Sequence, residues 1–137
     1  MHEVMSDIYP KELSLTSDDA ILTVNYLDLR IDIKDSKIHT SLFDKRDAFG
    51  FEIVNFPFLT GNIPNKQSYG VFVSQLVRYA RCCQDFEDFR SRTSVLIDRL
   101  VHQHFTINLL KRTSEKFAEP YYELLAKYGV CASTACF

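Results

Sequence analysis

The sequence predicts an α+β chain: an N-terminal antiparallel β-hairpin, an ordered connector, and a C-terminal bundle of three or four helices. Three observations carry this. Apolar residues alternate with polar ones at period two over residues 27–33 and again over 38–43, the spacing of strands with one apolar face. From Ser68 onward they recur at steps of three and four, the spacing of one helix face. Between the two, residues 53–64 set apolar side chains among Asn and Pro, as an ordered, extended connector does. The implied division is a flexible lead-in over 1–19, a β-hairpin over 20–47, the connector over 48–67, the helices over 68–129, and a flexible tail over 130–137.

The lead-in is polar and irregular, with Pro10 and a Thr-Ser-Asp-Asp cluster at 16–19. Residues 21–33 then read as a single strand. Leu27, Leu29, Ile31 and Ile33 form its buried face, and Asp28, Arg30 and Asp32 lie between them. A four-residue turn, Lys34 to Lys37, leads into a second alternating run, 38–43, and two such runs around a short turn make a hairpin. The charged cluster Asp44-Lys45-Arg46-Asp47 closes it. This cluster fits a solvated turn with internal ion pairs, which contribute little to stability. It also fits a phosphate contact by Lys45 and Arg46, oriented by the two acids. Phe49, Phe51, Phe56 and Phe58 are dense enough either to pack a core or to stack nucleobases.

The first helix runs from Ser68, a suitable N-cap, to about Cys83. Tyr69, Phe72, Val73, Leu76, Tyr79, Ala80 and Cys83 share its apolar face, with Arg78 and Arg81 off it. A second begins at Gln84 or Asp85, where Asp85, Glu87 and Asp88 suit the positive end of the helix dipole. Its stripe is Phe86, Phe89, Thr93, Leu96, Ile97, Leu100, Val101 and Phe105, leaving Arg90, Arg92 and Arg99 mostly outward. Thr106 can cap a third helix. Pro120 lacks the N–H that a continuous ladder needs. It therefore kinks that helix, or ends it and opens a fourth with Tyr121, Leu124, Leu125 and Tyr128 inward. Gly129 is a suitable C-terminal stop.

The chain of 137 residues is 46% hydrophobic and 25% charged, an ordinary globular composition for one domain or a piece of a larger one. The net charge of −2 makes no argument for nucleic acid. Its distribution says more. Residues 1–65 carry 6 Lys+Arg against 11 Asp+Glu, and residues 66–137 carry 10 against 7. The strand part is acidic and the helical part basic. Arginine outnumbers lysine on the helices, which favours forked phosphate contacts. No secretory signal precedes the four cysteines, so they read as reduced thiols of an intracellular protein, cytoplasmic or nuclear. No apolar run approaches the roughly 20 residues that span a bilayer, so no membrane partner is expected.

No catalytic constellation is legible. His102 and His104 are two apart and diverge on a helix. The vicinal Cys82-Cys83 pair and Cys131 with Cys136 match no zinc spacing, and there is no phosphate-binding Gly loop. The expectation is therefore no catalytic residue, no metal and no cofactor. What remains is electrostatic: Arg78, Arg81, Arg90, Arg92, Arg99, Lys111, Arg112 and Lys116 are spread over three helices, and of these Arg78, Arg81, Arg90, Lys111 and Arg112, with Lys45 and Arg46 at the hairpin end, are the candidate contacts.

The order of several motifs resembles the segment after the catalytic core in reverse transcriptases of animal retroelements, the Penelope-like and related non-LTR kinds. The residues that carry the resemblance are Asn25-Tyr26-Leu27-Asp28-Leu29, then Ile38 through Asp47, Ile53 to Pro57, Asn62 to Pro64, and Tyr69 to Arg81. It covers roughly residues 22–129. The resemblance implies a hairpin packed beside a polymerase palm and thumb-like helices contacting the template–primer duplex. Lys45, Arg46, Arg78 and Arg81 then become backbone contacts. The implied partners are an RNA–DNA or RNA duplex and the palm domain of a longer parent chain. The chain has no Tyr-x-Asp-Asp and no other palm carboxylates, so it cannot polymerise alone. Pro120 and Phe43 also depart from the pattern. An alternative of another class is a domesticated or decayed fragment acting as a protein-interaction domain, recognisable by an exposed apolar patch.

Overall fold

The computed structural model describes residues 22–51, 53 and 56–129. The expected lead-in (1–19) and tail (130–137) lie outside the described residues. The architecture is α+β: a three-stranded antiparallel sheet followed by four helices. The strands β1 (Thr23–Tyr26), β2 (Leu29–Lys34) and β3 (Lys37–Leu42) lie in sequence order. A 3₁₀ turn spans Lys45–Ala48. The helices are α1 (Asn65–Cys82), α2 (Phe86–His102), α3 (Ile107–Ala118) and α4 (Tyr122–Ala126).

The run read as one strand is two. It reverses at Leu27-Asp28, so that Tyr26 faces Leu29 and Val24 faces Ile31. Leu27 takes a left-handed φ of +53°, a costly conformation for a residue with a bulky side chain. Asp28 holds the turn from two sides. Its carbonyl accepts from the Phe43 N–H at 2.8 Å, and its carboxylate takes both arms of the Arg78 guanidinium, at 2.9 and 2.6 Å. The second hairpin follows expectation. Asp35 and Ser36 both have positive φ, as a two-residue turn matched to strand twist requires, and Lys34 pairs with Lys37.

The pairing places Val24, Tyr26, Leu29, Ile31, Ile33, Ile38, Thr40 and Leu42 on one face of the sheet. Burial of that face is confined to one end. Leu42 is 2% exposed and belongs to the core, but Ile33 is 50% and Ile38 66% exposed. The expected buried face of 27–33 is thus apolar yet largely uncovered. The reason is orientation: the sheet meets the helices through its polar face and the β3 edge. His39 on the polar face reaches Asp85 at the start of α2. At the edge, the Gln84 N–H donates to the Thr40 carbonyl (2.9 Å), and the Thr40 N–H donates to the Gln84 side chain (3.3 Å). Arg92 donates to the Leu42 carbonyl at 3.2 Å.

The core is helical. α1 lies at its centre, touching β3 and the other three helices. Phe72, Leu76, Tyr79, Ala80 and Cys83 are buried, as the spacing predicts. Ser68 is not the cap. Pro64 holds that position and its carbonyl accepts from the Gln67 and Ser68 N–H groups, while Ser68 is fully buried one turn in. The end of α2 is set by His104 at φ +67°, with the Phe105 N–H donating to the Leu100 carbonyl. That six-to-one closure returns Phe105 to the core (3% exposed), beyond the helix whose stripe it continues in sequence. Val101, expected on the stripe, is 42% exposed. α3 ends at Ala118, ahead of Pro120, and α4 starts afresh at Tyr122. Just beyond α4, Tyr128 and Lys127 donate to the Cys83 carbonyl at 2.8 and 2.7 Å, satisfying an acceptor at the end of α1.

Candidate nucleic-acid interface

The charged cluster at the hairpin end is held inward. Asp44 caps the 3₁₀ turn by accepting the Arg46 N–H at 3.0 Å. Its carboxylate also takes the Arg46 guanidinium at 2.8, 2.9 and 2.5 Å. Both side chains are close to buried, and the Arg46 guanidinium lies over the Phe56 ring, 5.5 Å from its centroid. Burial pushes the Asp44 carboxyl up. The hydrogen bonds from the Arg46 side chain and backbone, with the charges of Arg46 and Arg99, outweigh it and hold the group at about 2. Arg99 lies 3.6 Å from both Asp44 and Asp47, and Arg92 pairs with Asp47. Thus 44–47 holds the expected internal ion pair, with Lys45 and Asp47 exposed, but Asp44 and Arg46 are withdrawn from solvent and the cluster bolts the hairpin end onto α2. Arg46, a candidate phosphate contact from sequence, is committed to Asp44. Lys45, in the same turn, is exposed.

The helical candidates divide in the same way. Arg78 is tied to Asp28 and to the Gln75 side chain, and is half-buried. Beside it Arg81 is exposed, and the two line one groove of about 550 Å³ with Gly70, Val73, Val77 and Tyr121. Arg90 on α2 and Lys111 and Arg112 on α3 are exposed. Arg81, Arg90 and Arg112 have no carboxylate partner among the described residues, in contrast to Arg46, Arg78, Arg92 and Arg99. The fold therefore brings Arg78 and Arg81 together and leaves the other cations on separate helices.

The phenylalanine group splits. Phe56 is core, while Phe49 and Phe51 are 50% and 67% exposed with ring centroids 5.4 Å apart. The two rings follow the exposed Lys45 within a few residues, which places stacking surface and charge on one segment. The vicinal thiols are buried. Burial pushes both the Cys82 and Cys83 thiols up, away from thiolate.

Two features escaped the sequence. The first is a polar groove of about 550 Å³ between the polar face of the sheet and α2, lined by Arg30, Asp32, Lys34, His39, Asp88 and Arg92 among others. The second is a meeting of His39, Asp85 and Asp88 at that groove. The partners are 46 and 49 residues apart, with no spacing rule to link them. No helix among the described residues is long and apolar enough to cross a membrane. Comparison with protein-family models, with curated proteins and with solved structures returns no match.

Proposed function

We propose that this chain is the noncatalytic, post-palm part of a retroelement-type reverse transcriptase. In this role it contacts the backbone of a template–primer duplex inside the cell and packs its sheet against the palm of a longer parent chain. The observation that carries the reading is the sorting of cations. Those at the sheet–helix junction are neutralised by carboxylates, whereas Arg81, Arg90 and Arg112 face solvent without a partner among the described residues. Unpaired arginines on helix surfaces suit phosphate, whose affinity comes from charge and counterion release. The order of sheet, connector and helices is the order that the resemblance implies.

The uncovered apolar face of the sheet favours a second reading, a protein-interaction domain. Leu22, Tyr26, Leu27 and Ile38 are each more than 60% exposed, which marks a surface suited to another protein body. Under the first reading that body is the palm.

The test is binding of a labelled RNA–DNA hybrid at two salt concentrations, comparing wild type with Arg81→Ala/Arg90→Ala/Arg112→Ala. Arg78 is left intact because it anchors the first hairpin turn. The expected result is affinity that falls steeply with salt, with the slope reduced by about one for each phosphate contact removed. A folded protein that does not bind the hybrid at low salt rules out the duplex role and leaves the interaction domain.

A further inference from the structure

We propose that His39, Asp85 and Asp88 form a site for one divalent transition-metal ion of the zinc class. This site is independent of the nucleic-acid reading.

Two separate elements build it. β3 presents His39 from the polar face of the sheet, half-buried, and the start of α2 presents Asp85 and Asp88 one turn apart. The imidazole Nε2 lies 2.6 Å from the Asp85 carboxylate and 3.7 Å from that of Asp88. One ligand atom from each residue lies within 4.8 Å of the other two. Bonds of about 2.0–2.2 Å in a tetrahedral shell separate donors by about 3.4 Å. The two His39 spacings straddle that value, and no spacing among the three exceeds it by more than about 1.4 Å, a side-chain movement that brings three donors onto one ion.

The present hydrogen bonding leaves the groups available. Asp85 occupies the N-cap position of α2 yet makes no side-chain cap bond; its carboxylate is turned to His39 instead. Asp88 is beyond hydrogen-bond range of the ring, so a single ring proton serves only one of two converging carboxylates. A cation at Nε2 serves both. The other ring nitrogen, Nδ1, is buried without a partner. It carries a lone pair when Nε2 holds the proton and a proton when Nε2 holds a metal, so metal binding creates no additional unpaired atom. One imidazole with two carboxylates selects zinc-like ions over magnesium or calcium, which prefer oxygen alone. His39 and Asp88 also line the polar groove, which leaves the remaining coordination position to water.

The experiment is calorimetric titration of the whole chain with Zn²⁺ alone, repeated with His39→Gln and Asp88→Asn, the fold of each variant being checked by circular dichroism. The expected result is one ion per chain, with each variant weakening binding by about 10-fold or more, at least the loss that removing an outer-shell partner causes. With Co²⁺ the visible absorption is that of nitrogen and oxygen ligands, without a thiolate band. Three results overturn the site: no heat from the folded wild type, equal affinity in both folded variants, or a thiolate band that assigns the metal to the cysteines.

Discussion

The two halves of the molecule carry apolar patterns of similar clarity and treat them in opposite ways. α1 and α2 bury theirs: Phe72, Leu76, Phe89 and Leu100 are at most 0% exposed. The sheet leaves its own largely in solvent, with Ile33 and Ile38 at 50% and 66%. Periodicity names the apolar face in either case. It does not name what covers that face. In the helical half the cover comes from the chain's own neighbouring helices. In the sheet half, the helices take the polar face and the β3 edge instead.

The largest expected effect separates the halves directly. Phe72→Ala removes a fully buried ring and should cost about 3–5 kcal/mol in chemical denaturation. Ile33→Ser and Ile38→Ser should each stay within about 0.5 kcal/mol of wild type. Equal losses would mean that the sheet face is covered in solution.

Acid should attack the junction. Asp44 is held at about 2 in the fold, against about 3.9 in an unfolded chain. A carboxyl with a lowered folded value contributes its full stability above the unfolded value and loses it as pH falls toward the folded one. Stability should therefore drop between about pH 4 and pH 2. Asp44→Asn should flatten that drop while costing about 1.5–3 kcal/mol at pH 7, the range for a hydrogen bond to a charged group. Urea midpoints measured across pH for both proteins check this.

The smallest effect concerns the first hairpin turn. Arg78→Ala frees Asp28, but both side chains are partly exposed, so the global loss should be about 1 kcal/mol or less. Amide exchange should show it locally, with faster exchange in β1 and little change in α1. Uniform acceleration in both would show that the sheet and helices open as one unit.

Local rules made the helical half legible. The stripes of α1 and α2 and the break at Pro120 follow from spacing and backbone chemistry, whereas α4 ends at Ala126, three residues ahead of the stop expected at Gly129 (φ +63°). Where the sequence misled, a distant partner decided the outcome. Alternation shifts from even to odd positions at Tyr26-Leu27, a signal of the reversal that the single-strand reading passed over, and the turn there is held by Arg78, 50 residues on. Pro64 starts α1, although Ser68 has the better capping side chain. The candidate interface was legible only in part. Arg81, Arg90 and Arg112 can be picked out as charges off an apolar stripe. Arg46 is occupied by Asp44 two residues away, the internal ion pair that 44–47 allowed, whereas the meeting of His39 with Asp85 depends on how the sheet docks onto α2.

The Gln84 bridge to Thr40, with Arg92 on the Leu42 carbonyl, gives the sheet a direction of growth. An edge strand with free main-chain groups is a template for the next chain, and a sheet with two such edges can recruit copies without limit. Here the β3 side is stopped by the molecule's own loop. The covered part of that edge, Thr40 and Leu42, is withdrawn from pairing with another chain, which is how a sheet next to a helical body blunts one of its edges.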